Sequence, residues 1–315
     1  MTTHAIETTP RRTPSNLLHD PLPGTRYRAV RRIGAGTTSE VFEAVGPDRA
    51  RCAVKVLRAV YADTPDAVFR MEQEGHALAG LDHPSLVPVI DVGTTSAGRP
   101  FFVMPLLQGE TVRERLNRRG PVSAALACVI VAEVLEGLDA AHRAGLVHRD
   151  VKPANIFLPI RDPGGPARRS VLLDFGIAKL LGASGRATTE AKVVGTPRYL
   201  APEQILGGCV DARTDVYAAG LTLFEMIAGR GPYDASSPMD LMRAHLEAKP
   251  RSLREFAPVS SELAHAIDRA IAKAPARRWP SARAFAAVLD RAAARETARA
   301  GQGDDAIVID LEMAQ

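Results

Sequence analysis

Cysteine is scarce. Three occur in 315 residues, at 52, 128 and 209, widely spaced and odd in number. That excludes a disulfide framework and points to a reducing compartment, so a cytoplasmic location is expected. Lysine is scarce too: six of the 40 basic residues, the rest arginine, which reads as coding bias more than as function. Neither sign of charge dominates, since 40 basic residues face 36 acidic ones for a net +4, which gives no argument for a nucleic-acid partner. No apolar run reaches the roughly 18 residues of a membrane span. The stretch Met1 to Gly24 lacks the apolar centre of a signal peptide. What remains is ordinary for a globular protein, 46% hydrophobic and 24% charged, and long enough to bury a large core in two lobes.

Residues 1–24 carry four prolines and five threonines and read as a disordered leader. Strand-like runs follow at Tyr27–Ile33, Glu40–Ala44 and Cys52–Leu57, then a helical pattern at Asp66–Leu81 closed by Asp82-His83-Pro84. Two further strand-like runs lie at Leu86–Val92 and Phe101–Met104. Beyond Met104 the pattern turns helical. Ser123 caps a long helix over Ala124–Ala144 that Gly145 stops, and Ala212–Ala228 ends at Gly229. Helices are also expected near Met239–Glu247, Ser261–Lys273 and Ser281–Ala298. The breaker-rich Arg161–Ser170 reads as an exposed hairpin extension. The stretch Gly301–Gln315 reads as a loose acidic tail rather than a docking peptide, despite its apolar Ala306-Ile307-Val308-Ile309. The sum is an α+β chain, β-rich first and helical after.

The chemistry concentrates in His148-Arg149-Asp150-Val151-Lys152-Pro153-Ala154-Asn155 and, nineteen residues after Asn155, Asp174-Phe175-Gly176. Asp150 can accept a proton from a hydroxyl, Lys152 can reach a migrating phosphate, and Asn155 and Asp174 offer the oxygen donors that hard divalent cations prefer. Gly34-Ala35-Gly36 lies between two strands, where glycine lets backbone N–H groups approach phosphate oxygens. Lys55 stands on the third strand among apolar neighbours, and His148 reads as a buried structural histidine.

In this ordered set the chain resembles a serine/threonine protein kinase of the eukaryotic-like kind found in bacteria, over about Tyr27 to Arg291. The resemblance implies a bilobal fold: leader 1–24, N-lobe 25–104, C-lobe 105–293 and tail 294–315. It implies ATP with Mg²⁺ or Mn²⁺, transfer of the γ-phosphate to protein Ser/Thr hydroxyls, and a transient homodimer that phosphorylates its own activation loop. Members of this family often continue into a membrane span and an external sensor, and the sequence ends before either would fit.

By the same resemblance, Ile33, Gly34, Ala35, Gly36 and Val41 cover the nucleotide, Ala53 and Phe157 sandwich adenine, Met104 stands behind it, and the backbones of Pro105 and Leu107 bond its edge. Lys55 contacts the phosphates and pairs with a helix carboxylate. Glu74 fits the family spacing and Glu72 stays open. Asp150, Lys152 and Asn155 are catalytic, with Asn155 and Asp174 on the metal. Glu203 pairs with Arg278, and Asp215 braces the catalytic loop. Arg149 seeks an anion on the segment 177–194, which offers Thr188, Thr189 and Glu190, while Thr196 touches Asp150 and Lys152. Two departures from the family pattern are Ser39, where a third glycine is usual, and Pro105, where an acidic residue is common. They are the support for a rival reading as a non-catalytic scaffold. The presence of Lys55, Asp150, Asn155 and Asp174 opposes it, and the 195–203 stretch opposes a small-molecule phosphotransferase.

Overall fold

The computed structural model describes residues 20–160, 169–175 and 197–301. Five antiparallel strands make the first sheet: β1 (Arg28–Ala35), β2 (Ser39–Val45), β3 (Arg51–Leu57), β4 (Asp91–Thr94) and β5 (Pro100–Pro105), in the order β1-β2-β3-β5-β4. Alternation along β3 decides which face each residue serves. Cys52, Val54 and Val56 join Phe42, Phe101 and Val103 in one core, leaving Ala53 and Lys55 on the opposite face. Helix α1 (Pro65–Ala79) starts with proline at its first position, packs on β5 and β4, and buries Ala67, Met71, Glu74, Gly75 and Leu78, one stripe at helical spacing.

The C-terminal lobe is helical. It holds α2 (Val112–Arg119), α3 (Ala124–Arg143), α4 (Pro202–Ile205), α5 (Ala212–Ala228), α6 (Pro238–Glu247), α7 (Ser261–Ala270) and α8 (Ala282–Ala300). A small sheet of β6 (Gly109–Thr111), β7 (Ile156–Pro159) and β8 (Val171–Leu172) joins them, in the order β6-β7-β8. Helix α5 is buried without a break from Thr214 to Ile227, so it is the core about which α3, α7 and α8 pack. Gly220 is where α5 meets the end of α7: a Cβ there would lie 2.8 Å from Ala270 Cβ and 2.9 Å from Ile271 Cγ2. Gly109, at φ +144° beside the interlobe connection, also admits no side chain, since a Cβ would stand 2.1 Å from the Leu158 carbonyl oxygen. No described helix is long and apolar enough to cross a membrane.

Several expectations need correction. The leader does not extend to Gly24: Leu22 is 1% exposed within the N-lobe core, and Ser96 N–H donates to the Pro23 carbonyl, so residues 20–24 are packed chain. One apolar side chain and a buried Arg99 donating to the Pro21 carbonyl outweigh a Pro-rich composition. The run Leu86–Val92 is strand only from Asp91; Pro88 removes a ladder donor, and Leu86 keeps a lone bridge to Leu172. The tail does not begin at 294, because α8 continues to Ala300 with Glu296 buried and accepting from Ser260 N–H. Helix α7 stops at Ala270, short of Lys273. The pair β6 and α2 went unread, although Thr111 and Glu114 form a full capping box there. The hairpin extension falls outside the described residues over 161–168, and so does the tail from 302.

Candidate active site

Lys55 is 5% exposed on β3 and its Nζ donates to Glu74 Oε1 at 2.8 Å. It also stands 3.2 Å from Asp174 Oδ1 and 5.3 Å from the Phe102 ring centre. Burial alone would lower the Lys55 pKa, but Asp174 and Glu74 outweigh it and raise it, so the ammonium keeps its proton. Burial pushes the Glu74 carboxyl up, against the pull of Lys55. Glu72 lies one face round α1, partly exposed, with its carbonyl 2.8 Å from His76 Nδ1. The structure therefore places Glu74, and not Glu72, on Lys55.

The loop before β7 carries the other charged groups. Lys152 Nζ donates to Asp150 Oδ2 at 2.8 Å, and Asn155 Nδ2 donates to the Asp150 carbonyl at 2.9 Å and to Asp150 Oδ2 at 3.2 Å. Asn155 is tied to the segment between β8 and Asp174 through Leu173 N–H, which donates to its carbonyl at 2.8 Å. Arg149 and Asp174 both hold positive φ, +66° and +49°, uncommon for residues other than glycine. Asp215, fully buried at the start of α5, enforces the first: its oxygens accept from Arg149 N–H at 2.7 Å and His148 N–H at 2.8 Å, and meet His142 Nε2 at 2.7 Å. His148 is buried, with Nδ1 accepting from Asp150 N–H and Nε2 facing the Leu173 carbonyl at 3.0 Å. Burial lowers its pKa, in keeping with a neutral ring that fixes the loop.

The N-lobe residues form one surface above these groups. Val41 pairs with Lys55 and with Gly34 across the strands, Ala35 with Glu40, and Ala53 with Met104. Ile33 is partly exposed. A Cβ added at Gly34 or Gly36 would make only ordinary contacts of 3.5 Å or more, so the fold itself does not demand glycine at either place. Ser39, buried at the head of β2, leaves the turn intact because its carbonyl accepts from Gly36 N–H at 2.8 Å. Pro105 closes β5 opposite Cys52, so the expected acidic residue is replaced without loss of register. Met104, Leu107 and Phe157 are each half-buried, Phe157 on β7.

Further out, Arg278 is wholly buried and grips Glu203 with two parallel bonds of 2.7 and 2.8 Å; Thr214 adds a third at 2.6 Å. Burial would raise the Glu203 pKa, but Arg278 and Thr214 hold it below the usual range. Gly176, Thr188, Thr189, Glu190 and Thr196 lie outside the described residues. Sequence reasoning missed His142 on Asp215 and Gln204, whose Nε2 donates to the Arg149 carbonyl at 3.0 Å. Neither stands in a local pattern that could have revealed it.

A family model for the protein kinase domain matches residues 27–288. The serine/threonine-protein kinase PkaB of Streptomyces coelicolor is 38% identical over 257 residues, covering 81% of this chain and 60% of PkaB. PknB of Mycobacterium tuberculosis is 36% identical over 287 residues, covering 89% of this chain and 44% of PknB. The chain thus spans less than two thirds of the length of these relatives. The crystal structure of the Mycobacterium tuberculosis PknI kinase domain superposes with a TM-score of 0.67 at 31% identity, covering 87% of this chain and 99% of that one.

Proposed function

The chain belongs to the protein kinase family, and we propose that it transfers the γ-phosphate of ATP to serine and threonine hydroxyls of proteins. One observation supports this most: a buried, protonated Lys55 held between Glu74 and Asp174, which joins the N-lobe sheet to the segment that follows β8. A lysine so placed is a fixed cation for phosphate oxygens. Gly34 and Gly36, not required by the fold, leave room for a nucleotide to approach the backbone. Ile33, Ala35, Val41, Ala53, Met104, Pro105, Leu107 and Phe157 would enclose the base and ribose.

Asp150 is the group that would orient the acceptor hydroxyl and take its proton, and Lys152, 2.8 Å from it, would neutralise charge on the phosphate in flight. Asn155 and Asp174 fit a hard divalent cation. Asn155 spends its amide N–H on Asp150, which leaves its side-chain oxygen as the atom it would offer a cation, while Asp174 is half exposed. Two protein oxygens are few, which suits Mg²⁺ or Mn²⁺, ions that complete their shell with water and phosphate. Such an ion would neutralise charge on the β- and γ-phosphates.

Glu190 is proposed to order the segment before Gly195 in part by facing Arg149, with autophosphorylation at Thr188 or Thr189 between transient partners completing the order. Activity that survives phosphatase treatment and vanishes in Glu190→Ala supports this; equal activity of the two dephosphorylated proteins contradicts it. A cytoplasmic location is part of the proposal, supported by three free thiols. The function itself is tested with labelled ATP and Mg²⁺: the purified chain labels itself and peptides on serine or threonine, and absence of any label contradicts the proposal.

A further inference from the structure

Arg149 is gripped at both of its backbone groups. Asp215 Oδ1 takes the Arg149 N–H at 2.7 Å, and Gln204 Nε2 donates to the Arg149 carbonyl at 3.0 Å. That carbonyl and the N–H of Asp150 belong to one planar peptide unit. The far end of the unit is held as well, since Asp150 N–H donates to His148 Nδ1 at 3.2 Å. Gln204 and His148 thus fix the tilt of the plane from which Asp150 projects. Gln204 and Asp215 hold the two planes on either side of the Arg149 Cα, and with them its φ of +66°. Left-handed backbone is unfavourable for a residue with a Cβ, so losing either grip lets Arg149 turn, and Asp150 with it.

Gln204 is delivered from a fixed platform. Its neighbour Glu203 is bound by the wholly buried Arg278 through bonds of 2.7 and 2.8 Å. Within α4, Gln204 Oε1 accepts from Ala201 N–H at 3.0 Å. The half-buried side chain therefore meets one donor, the Ala201 amide, and one acceptor, the Arg149 carbonyl. A primary amide, with a donor and an acceptor on one planar head, serves both. A carboxylate accepts and cannot donate. A residue needed only to cap α4 would be served as well by glutamate.

We propose that Gln204 is a positioning residue for phosphoryl transfer: by holding the Arg149 carbonyl it sets the orientation of Asp150 toward the acceptor hydroxyl. The proposal rests on the kinase reading above. The bonds of Gln204 run to Ala201 and Arg149 and not to Lys55, Asn155 or Asp174. Its loss is therefore felt in the rate of transfer and not in the binding of nucleotide.

Gln204→Glu and Gln204→Met test this in the full chain. Single-turnover transfer of labelled γ-phosphate to a generic basic protein is measured beside the wild type, with ATP binding and thermal unfolding on each. Gln204→Glu keeps the cap on Ala201 and loses the donor to Arg149. At about pH 8 it transfers about tenfold more slowly than the wild type, with Kd for ATP within about twofold, because misorientation penalises the transition state. Lowering the pH to about 6 protonates part of the glutamate, and a carboxylic acid carries an O–H donor, so the deficit relative to wild type narrows. Gln204→Met, which cannot titrate, keeps the same deficit at both. Should Gln204→Met fail to fold, Gln204→Glu and its pH profile still decide. A rate within about twofold of wild type in Gln204→Glu at about pH 8, or a deficit equally deep at about pH 6, overturns the positioning role alone. No transfer by the wild type overturns the kinase reading and the positioning role with it.

Discussion

Asp215 accepts the Arg149 amide proton at 2.7 Å and so pins a residue whose φ is +66°. Its second oxygen takes the His148 amide and faces His142. Asp150, proposed to orient the reacting hydroxyl, is thus positioned through its neighbours by a carboxylate on a helix buried without a break from Thr214 to Ile227. Asp215→Asn offers one acceptor where the carboxylate offers two. It is expected to cut kcat more than about tenfold, with a stability loss of about 1–3 kcal/mol. Steady-state kinetics beside a denaturant titration check this; unchanged kcat contradicts the bracing role.

The Lys55–Glu74 pair gives a test with an internal control. Lys55→Met removes the fixed cation, and Glu74→Gln leaves the ammonium with Asp174 alone. Both are expected to lower kcat by about a hundredfold or more. Glu72→Gln, which alters a partly exposed side chain, is expected to change it less than about twofold. Comparable losses in Glu72→Gln and Glu74→Gln contradict the geometry.

Acid sensitivity follows from His245. Its Nδ1 lies 2.8 Å from the Tyr217 hydroxyl, and Lys273 approaches through Tyr233. Burial, with Lys273 adding to it, lowers its pKa to about 4 from 6.5. The folded pKa is below the unfolded one, so between these values the unfolded chain binds the proton more readily. The stabilisation is complete above pH 6.5 and is lost as pH falls toward 4, by up to about 3 kcal/mol. Unfolding free energies at about pH 7.5 and pH 5 should differ less in His245→Gln than in the wild type. Equal differences contradict the assignment.

How much of this could be read from the chain depends on locality. Lys55 was legible because it stands on a strand among apolar neighbours, and Ala212–Ala228 because Gly229 ends it, while Glu74 was favoured over Glu72 only through family spacing. Glu203 and Arg278, 75 residues apart, were reached only through resemblance to a family. His142, Gln204, Arg113 and Glu225 were not reached, since their partners lie across helices and no periodicity marks them. Leu22 misled for the opposite reason: composition averages over a segment, and one buried side chain anchors it. The strand β6 and helix α2 were missed although the signal was local, Thr111 with Glu114.

The most direct test is labelled γ-phosphate transfer by Asp150→Asn beside the wild type, with nucleotide binding measured on both. Asparagine keeps the size and loses the proton-accepting charge. Binding within about twofold of wild type, with transfer reduced about a thousandfold, is the result predicted. Transfer at the wild-type rate from a folded, nucleotide-bound Asp150→Asn protein would contradict the account.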